Sequence, residues 1–122
     1  MDRLTINEEY RDTVVVLRLF GIIDSGTAQF LEDKFHELVA ANSVRIIADL
    51  AEVSYISSAG WGIFVGEIRG IRQRNGDIKL AAMQPDVREV FDLLEFNTLL
   101  KPFNSKEEAL AAFAAHQNTK LQ

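Results

Sequence analysis

Ser57 and Ser58 stand side by side in the stretch V-S-Y-I-S-S-A-G-W-G, residues 53–62. An apolar segment precedes them and glycines alternating with a tryptophan follow. A serine at a helix start can do two kinds of chemistry. Its hydroxyl can cap the helix by accepting a bond from a backbone amide two or three residues on, worth roughly 1 kcal/mol. It can also accept a phosphate, which adds about −2 charge and meets unsatisfied amides at the positive end of the helix dipole. Capping needs one serine, and this segment has two.

Other chemistries lack their residues. A nucleophile elbow needs G-x-S-x-G, but residues 56–60 read I-S-S-A-G. A serine triad needs a histidine base, and His36 and His116 both fall in expected helices remote in sequence from the pair. Gly60-x-Gly62 has no following Gly-Lys-Ser/Thr and is no phosphate loop. The carboxylates show no ligand-spaced cluster with a histidine in the sequence, so no metal site is expected, and no cofactor is implied. The net charge of −5 and scattered basic residues, with only Arg69, Arg72 and Arg74 close together, argue against nucleic acid as a partner. Cysteine is absent, which removes disulfides and thiolate chemistry and fits a reducing cytoplasm. Met1-Asp2-Arg3 opens without an apolar signal region, and no apolar run approaches the ~20 residues of a membrane span. The expectation is a soluble, acidic, cytoplasmic chain without membrane insertion.

The surrounding elements must position the serines. With 122 residues and 48% hydrophobic composition the chain suits one domain around one core. Leu4 to Glu8 reads as a short edge strand, and Thr13 to Phe20, rich in β-branched residues, as a second. Asp24-Ser25 is a helix start signal, and Ala28, Leu31, Phe35, Leu38 and Val39 give residues 27–41 helical spacing. Val44 to Leu50 reads as a strand buried on both faces, with Asp49 structural at its end. A helix is expected from about Ser58 to Arg74, stopped by Asn75-Gly76. Ile78 to Met83 is a strand, and Pro85 opens a helix to about Leu94 with an apolar stripe of Val87, Val90, Phe91 and Leu94. Leu99 to Phe103 is a last short strand. Ser105-x-x-Glu108 is a capping box for a final helix with Ala109, Leu110 and Phe113 inside, and residues 116–122 are expected to fray.

The fold class is therefore α/β: a mixed sheet of four to five strands with about four helices, all in one domain spanning 1–122. Strand–helix alternation implies parallel pairing with right-handed crossovers, and the first two strands can pair as a hairpin. Function then belongs to loops at the C-terminal strand ends, here residues 21–27, 50–58 and 83–86. This connectivity places Asp24 and Ser58 at one pole.

The helix after the serines carries two stripes. Trp61, Phe64, Val65, Ile68 and Arg72 share a narrow arc that suits the core apart from Arg72. Ala59, Gly62, Ile63, Gly66 and Gly70 share another. Each interior glycine costs about 1 kcal/mol relative to alanine, so this spacing suggests close approach of either a neighbouring helix or a partner protein. Trp61 reads as a half-buried core residue or as an interface anchor one turn from Ser58.

These residues resemble the STAS domain family, the anti-sigma factor antagonists of bacterial partner-switching systems. The resemblance runs from F-G-I-I-D at 20–24, through D-L-A-E-V-S-Y-I-S-S-A-G-W-G at 49–62, to M-Q-P-D-V-R-E-V-F-D-L-L-E-F at 83–96. It implies an antagonist that binds an anti-sigma factor, itself a serine/threonine kinase of the histidine-kinase ATPase type. The kinase inactivates the antagonist by phosphorylating one serine, and a PP2C-type phosphatase restores it. With Gly60 and Gly62 aligned to the family's glycines, the phosphoserine falls on Ser58. The implied partner surface is Asp24, Ser25, Ser57, Ser58, Ala59, Gly60, Trp61 and Gly62.

The chain departs from the family pattern in three places. Ser57 replaces the aspartate that often precedes the phosphoserine, which makes Ser57 the alternative acceptor. Ala59 replaces a second serine, and Trp61 a leucine. Asp24 matches the family's loop aspartate, where capping the first helix and contacting a partner are both open. Three functions compete: a phosphorylation-controlled interaction protein, a STAS subunit of a lipid or anion transport assembly without phosphoserine control, and a small nucleotide-binding or hydrolytic enzyme.

Overall fold

A computed structural model describes the backbone of residues 3–121 and the side chains of residues 3–115. Five strands form one mixed sheet in the order β1-β2-β3-β4-β5. β1 (Leu4–Arg11) pairs antiparallel with β2 (Val14–Ile23), and β3 (Arg45–Ile56), β4 (Asp77–Ala81) and β5 (Lys101–Phe103) continue in parallel. The expected hairpin at the chain start is present, with Asp12 at φ 55° turning it.

Helices α1 (Ala28–Ala40), α2 (Ser58–Gln73), α3 (Pro85–Leu93) and α4 (Lys106–Leu121) connect or follow the parallel strands. Alternation along the strands decides which face each helix covers. Val15, Leu17 and Leu19 of β2 share a core with Leu31 and Phe35 of α1, Trp61 and Phe64 of α2, and Phe91 of α3. Val14 and Val16 point the other way, onto Ala109 and Phe113 of α4. Three helices thus cover one face and α4 the other. β3 is central, and Ile46 through Leu50 is buried on both sides, as its continuous apolar run implies.

Helix ends follow their local chemistry. Asn75 takes φ 65° and the Gly76 amide bonds back to the Ile71 carbonyl at 3.0 Å, closing α2 as Asn-Gly suggests. The Ser105 hydroxyl accepts from the Glu108 amide at 3.1 Å, while Glu108 accepts from the amide of Asn104 rather than that of Ser105. The frayed tail expected over 116–122 falls on residues whose side chains lie outside those described.

Several expectations need correction. β1, β2 and β3 all run beyond their expected ends. Pairing between β2 and β3 continues from Phe20↔Glu52 to Ile23↔Ile56, so residues 51–56 are strand rather than loop. Glu52, Ser54 and Tyr55 are exposed there, and this polar half hides the strand from an apolar reading. Asp49 consequently lies mid-strand, paired with Arg18 at 3.6 Å. β4 stops at Ala81, because Ala82 takes φ 60°, and β5 begins at Lys101 instead of Leu99. In α3 only Val87 and Phe91 of the expected stripe are buried, while Val90 and Leu94 are exposed.

Gly21 lets β2 reach the pole. It sits between register shifts at Arg18/Phe20 and Gly21/Ile22 and has φ 119°. A Cβ there would lie 2.1 Å from the Arg3 carbonyl oxygen, which accepts from the Ile22 amide at 2.9 Å. Gly21→Ala should therefore lower stability by more than about 1 kcal/mol, since the backbone conformation and the contact both oppose it. Urea denaturation against wild type measures this; an unchanged midpoint would refute the constraint.

Candidate functional site

The pole is built where β2 and β3 end together. The Ser57 amide donates to the carbonyl of Ile23, the last residue of β2, at 2.8 Å. Ser57 then turns the chain from extended backbone into α2 as its N-cap, with φ −82° and ψ 175°. Its hydroxyl accepts from the Gly60 amide at 3.3 Å, and its carbonyl accepts from the Trp61 amide at 2.9 Å. The cap is thus Ser57, and Ser58 is the first residue inside the helix. Ser58 is exposed, and its hydroxyl makes no hydrogen bond to another described residue.

Gly60 explains how tightly this corner closes. It is buried, and a Cβ on it would lie 2.7 Å from the Ile23 carbonyl oxygen and 2.9 Å from Ile56 Cγ2. The first turn of α2 rests directly on the strand ends. Trp61 is only 2% exposed and packs against Phe64, Phe91 and Phe96, with ring centroids 5.9, 5.6 and 5.1 Å away. Those contacts fasten α2 to α3 and to the 3-10 turn at Phe96–Thr98. Gly60 and Trp61, expected in the partner surface, therefore position the pole from beneath instead of facing outward. The indole Nε1 is buried without a hydrogen-bond partner among the described residues.

Asp24 lies in the adjoining loop, as expected from connectivity, but it is not the N-cap of α1. That position is Thr27, whose hydroxyl accepts from the Asp24 amide at 2.9 Å and donates to the Ile22 carbonyl at 3.0 Å. Asp24 instead accepts from the Gly26 amide at 2.9 Å and pairs with Arg3, tying the loop to the start of the chain. Ser25 is exposed beside it. Sequence reasoning missed Phe30 in the first turn of α1 and Tyr55 near the end of β3, which are 51% and 54% exposed. Phe30 falls outside the buried Ala28, Leu31, Phe35 and Leu38 stripe of α1, which was the available signal for it, whereas Tyr55 stands beside the equally exposed Ser54 and carried none.

The small stripe of α2 faces outward. Cβ atoms built on Gly62, Gly66 and Gly70 meet nothing within 4 Å, and all three glycines are exposed. The neighbouring-helix explanation is therefore overturned for the glycines: α1 meets α2 to one side of them, where His36 bonds to Glu67, and of the stripe Ile63 is partly buried against the core. Ser58, Gly62, Gly66 and Gly70 recur every fourth residue and so run down one side of the helix. Glu32 and His36 of α1 come together with Glu67 of α2, their ligand atoms all within 4.8 Å of one another. This corrects the expectation that no carboxylates cluster with a histidine, because the grouping is made between helices.

Among the described residues no helix is long and apolar enough to cross a membrane. Comparison with known proteins agrees with the geometry. Residues 5–109 match the family model of the STAS domain. The chain is 34% identical over 102 residues to BtrV of Bordetella bronchiseptica, named provisionally as an anti-sigma factor antagonist, covering 84% of this chain and 88% of that one. A Thermotoga maritima crystal structure, also named provisionally as such an antagonist, superposes with a TM-score of 0.83 at 21% identity, over 88% of this chain and 92% of that one. The anti-sigma factor antagonist SpoIIAA in its unphosphorylated form gives a TM-score of 0.70 at 23% identity over 91% and 98% of the two chains. Its phosphorylated form gives 0.68 at 23% identity over 89% and 99%.

The adjacent serines should separate in their effect on stability. Ser57→Ala removes the cap and should cost about 1 kcal/mol. Ser58→Ala changes an exposed hydroxyl and should stay within about 0.5 kcal/mol of wild type. Urea denaturation of both variants checks the assignment, and the reverse order would contradict it. Sequence, sheet order and the seated α2 corner together make this chain a member of the STAS domain family.

Proposed function

We propose that this chain is an anti-sigma factor antagonist acting as a phosphorylation-controlled interaction switch. Unphosphorylated, it binds an anti-sigma factor that is also a serine/threonine kinase of the histidine-kinase ATPase type. Phosphorylation of Ser58 releases it, and a PP2C-type phosphatase resets it. The chain works by binding, in the cytoplasm, and the kinase supplies the catalysis.

The observation that carries this reading is the division of roles between the two serines. Ser57 is engaged as the cap and its hydroxyl is already bonded to Gly60. Ser58 is exposed at the first position of α2. A phosphate on it would add about −2 charge where the helix dipole and first-turn amides favour an anion. The fold can accept the modification while the presented surface gains negative charge. That surface continues along Gly62, Gly66 and Gly70, where no side chain stands between α2 and an approaching backbone. A partner element pressed against this face would be displaced by a charged group at its upper end. Asp24 and Ser25 border the same pole. The name borne by BtrV and by SpoIIAA points the same way, and the fold of SpoIIAA is seen with and without phosphate.

Capture of partners from the native host tests the reading. Wild type and Ser58→Ala should retain a soluble kinase-type ATPase, whereas Ser58→Asp should bind that ATPase at least about tenfold more weakly, or by 1.4 kcal/mol or more, while keeping its melting temperature. Wild-type affinity in Ser58→Asp would refute the switch. Recovery of a transporter subunit in place of the ATPase would establish the transport-assembly reading instead.

A further inference from the structure

We propose that Glu32, His36 and Glu67 form a divalent transition-metal site of the zinc class that bridges α1 and α2. Glu32 and His36 are four residues apart on α1 and so share one face, one turn apart. Glu67 meets them from α2, with His36 Nε2 3.0 Å from Glu67 Oε2. One ligand atom from each residue lies within 4.8 Å of the others. Bonds of ~2.1 Å in a tetrahedral shell place ligands ~3.4 Å apart, so an ion fits after shifts of a few tenths of an ångström at His36 and a modest closure by the third ligand.

The donor chemistry selects the metal. One imidazole with two carboxylates suits Zn²⁺ and its neighbours, whereas Ca²⁺ and Mg²⁺ take oxygen ligands alone. Three protein ligands leave a fourth position for water. The surroundings favour a cation. Among the described residues no lysine or arginine pairs with Glu32 or Glu67, and the Glu67 side chain is only 16% exposed. Gln29 Nε2 donates to Glu32 Oε1 at 3.2 Å and to Asp33 Oδ1 at 2.8 Å, which orients the Glu32 carboxylate from outside the site. An ion here would staple α1 to the helix that carries Ser58, one residue from the exposed Gly66. The site stands independently of the phosphorylation switch.

Calorimetric titration of the tag-free full chain with zinc chloride tests it, with magnesium and calcium chloride as controls. Wild type should bind one zinc per chain and melt at a higher temperature with zinc present. His36→Ala, at an exposed side chain, and Glu67→Gln, which keeps the side chain's shape, should each weaken binding at least about tenfold and abolish the melting shift. His116→Ala, at the other histidine of the sequence, should leave both unchanged. Absence of saturable binding, equal affinity for magnesium or calcium, retention of binding in His36→Ala, or its loss in His116→Ala would each overturn the proposal.

Discussion

The structure depends on one contact between backbone and backbone. The first turn of α2 sits on the ends of β2 and β3, where the Ser57 amide bonds the Ile23 carbonyl and Gly60 leaves no space for a side chain. This contact fixes where the helix starts. It makes Ser57 the cap, turns the next residue outward and puts Trp61 underneath. Any residue other than glycine at position 60 would have to lift the helix from the strand ends, and the orientation of Ser58 would move with it.

From that corner two surfaces of α2 take opposite roles. Trp61, Phe64 and Ile68 lie inward, and the aromatic contacts of Trp61 with Phe91 and Phe96 make α2 and α3 one packed unit. The outward side carries Ser58 and three glycines that touch nothing. Interior glycines weaken a helix by about 1 kcal/mol each, and no contact at the glycines themselves offsets that cost. The firm inward side offsets it globally, so the outward side can remain bare for another chain. The phosphate proposed for Ser58 would add its charge on that bare side and leave the core untouched.

Strong local signals made most of the fold legible in the sequence. The apolar run of β3, the Asn-Gly stop of α2, Pro85 at the start of α3 and the Ser105–Glu108 cap all lie where residue chemistry indicates. The ends of β2 and β3 were not legible, since Glu52 and Tyr55 are held in strand by pairing with Phe20 and Ile22, which are distant in sequence. The same limit applies at the site. The juxtaposition of Asp24 with Ser58 at one pole follows from strand order alone. Which serine caps, how deeply Trp61 is buried, and the meeting of Glu67 with His36 are tertiary facts set by how α2 lies on the sheet and beside α1.

The most direct test of the central claim is the intact mass of the protein from its native host, with and without phosphatase treatment, followed by mapping of the modified peptide. The account predicts a phosphatase-sensitive gain of about 80 Da, one phosphate ester, located on Ser58. A gain located on Ser57, or none under any growth or stress condition, would contradict it.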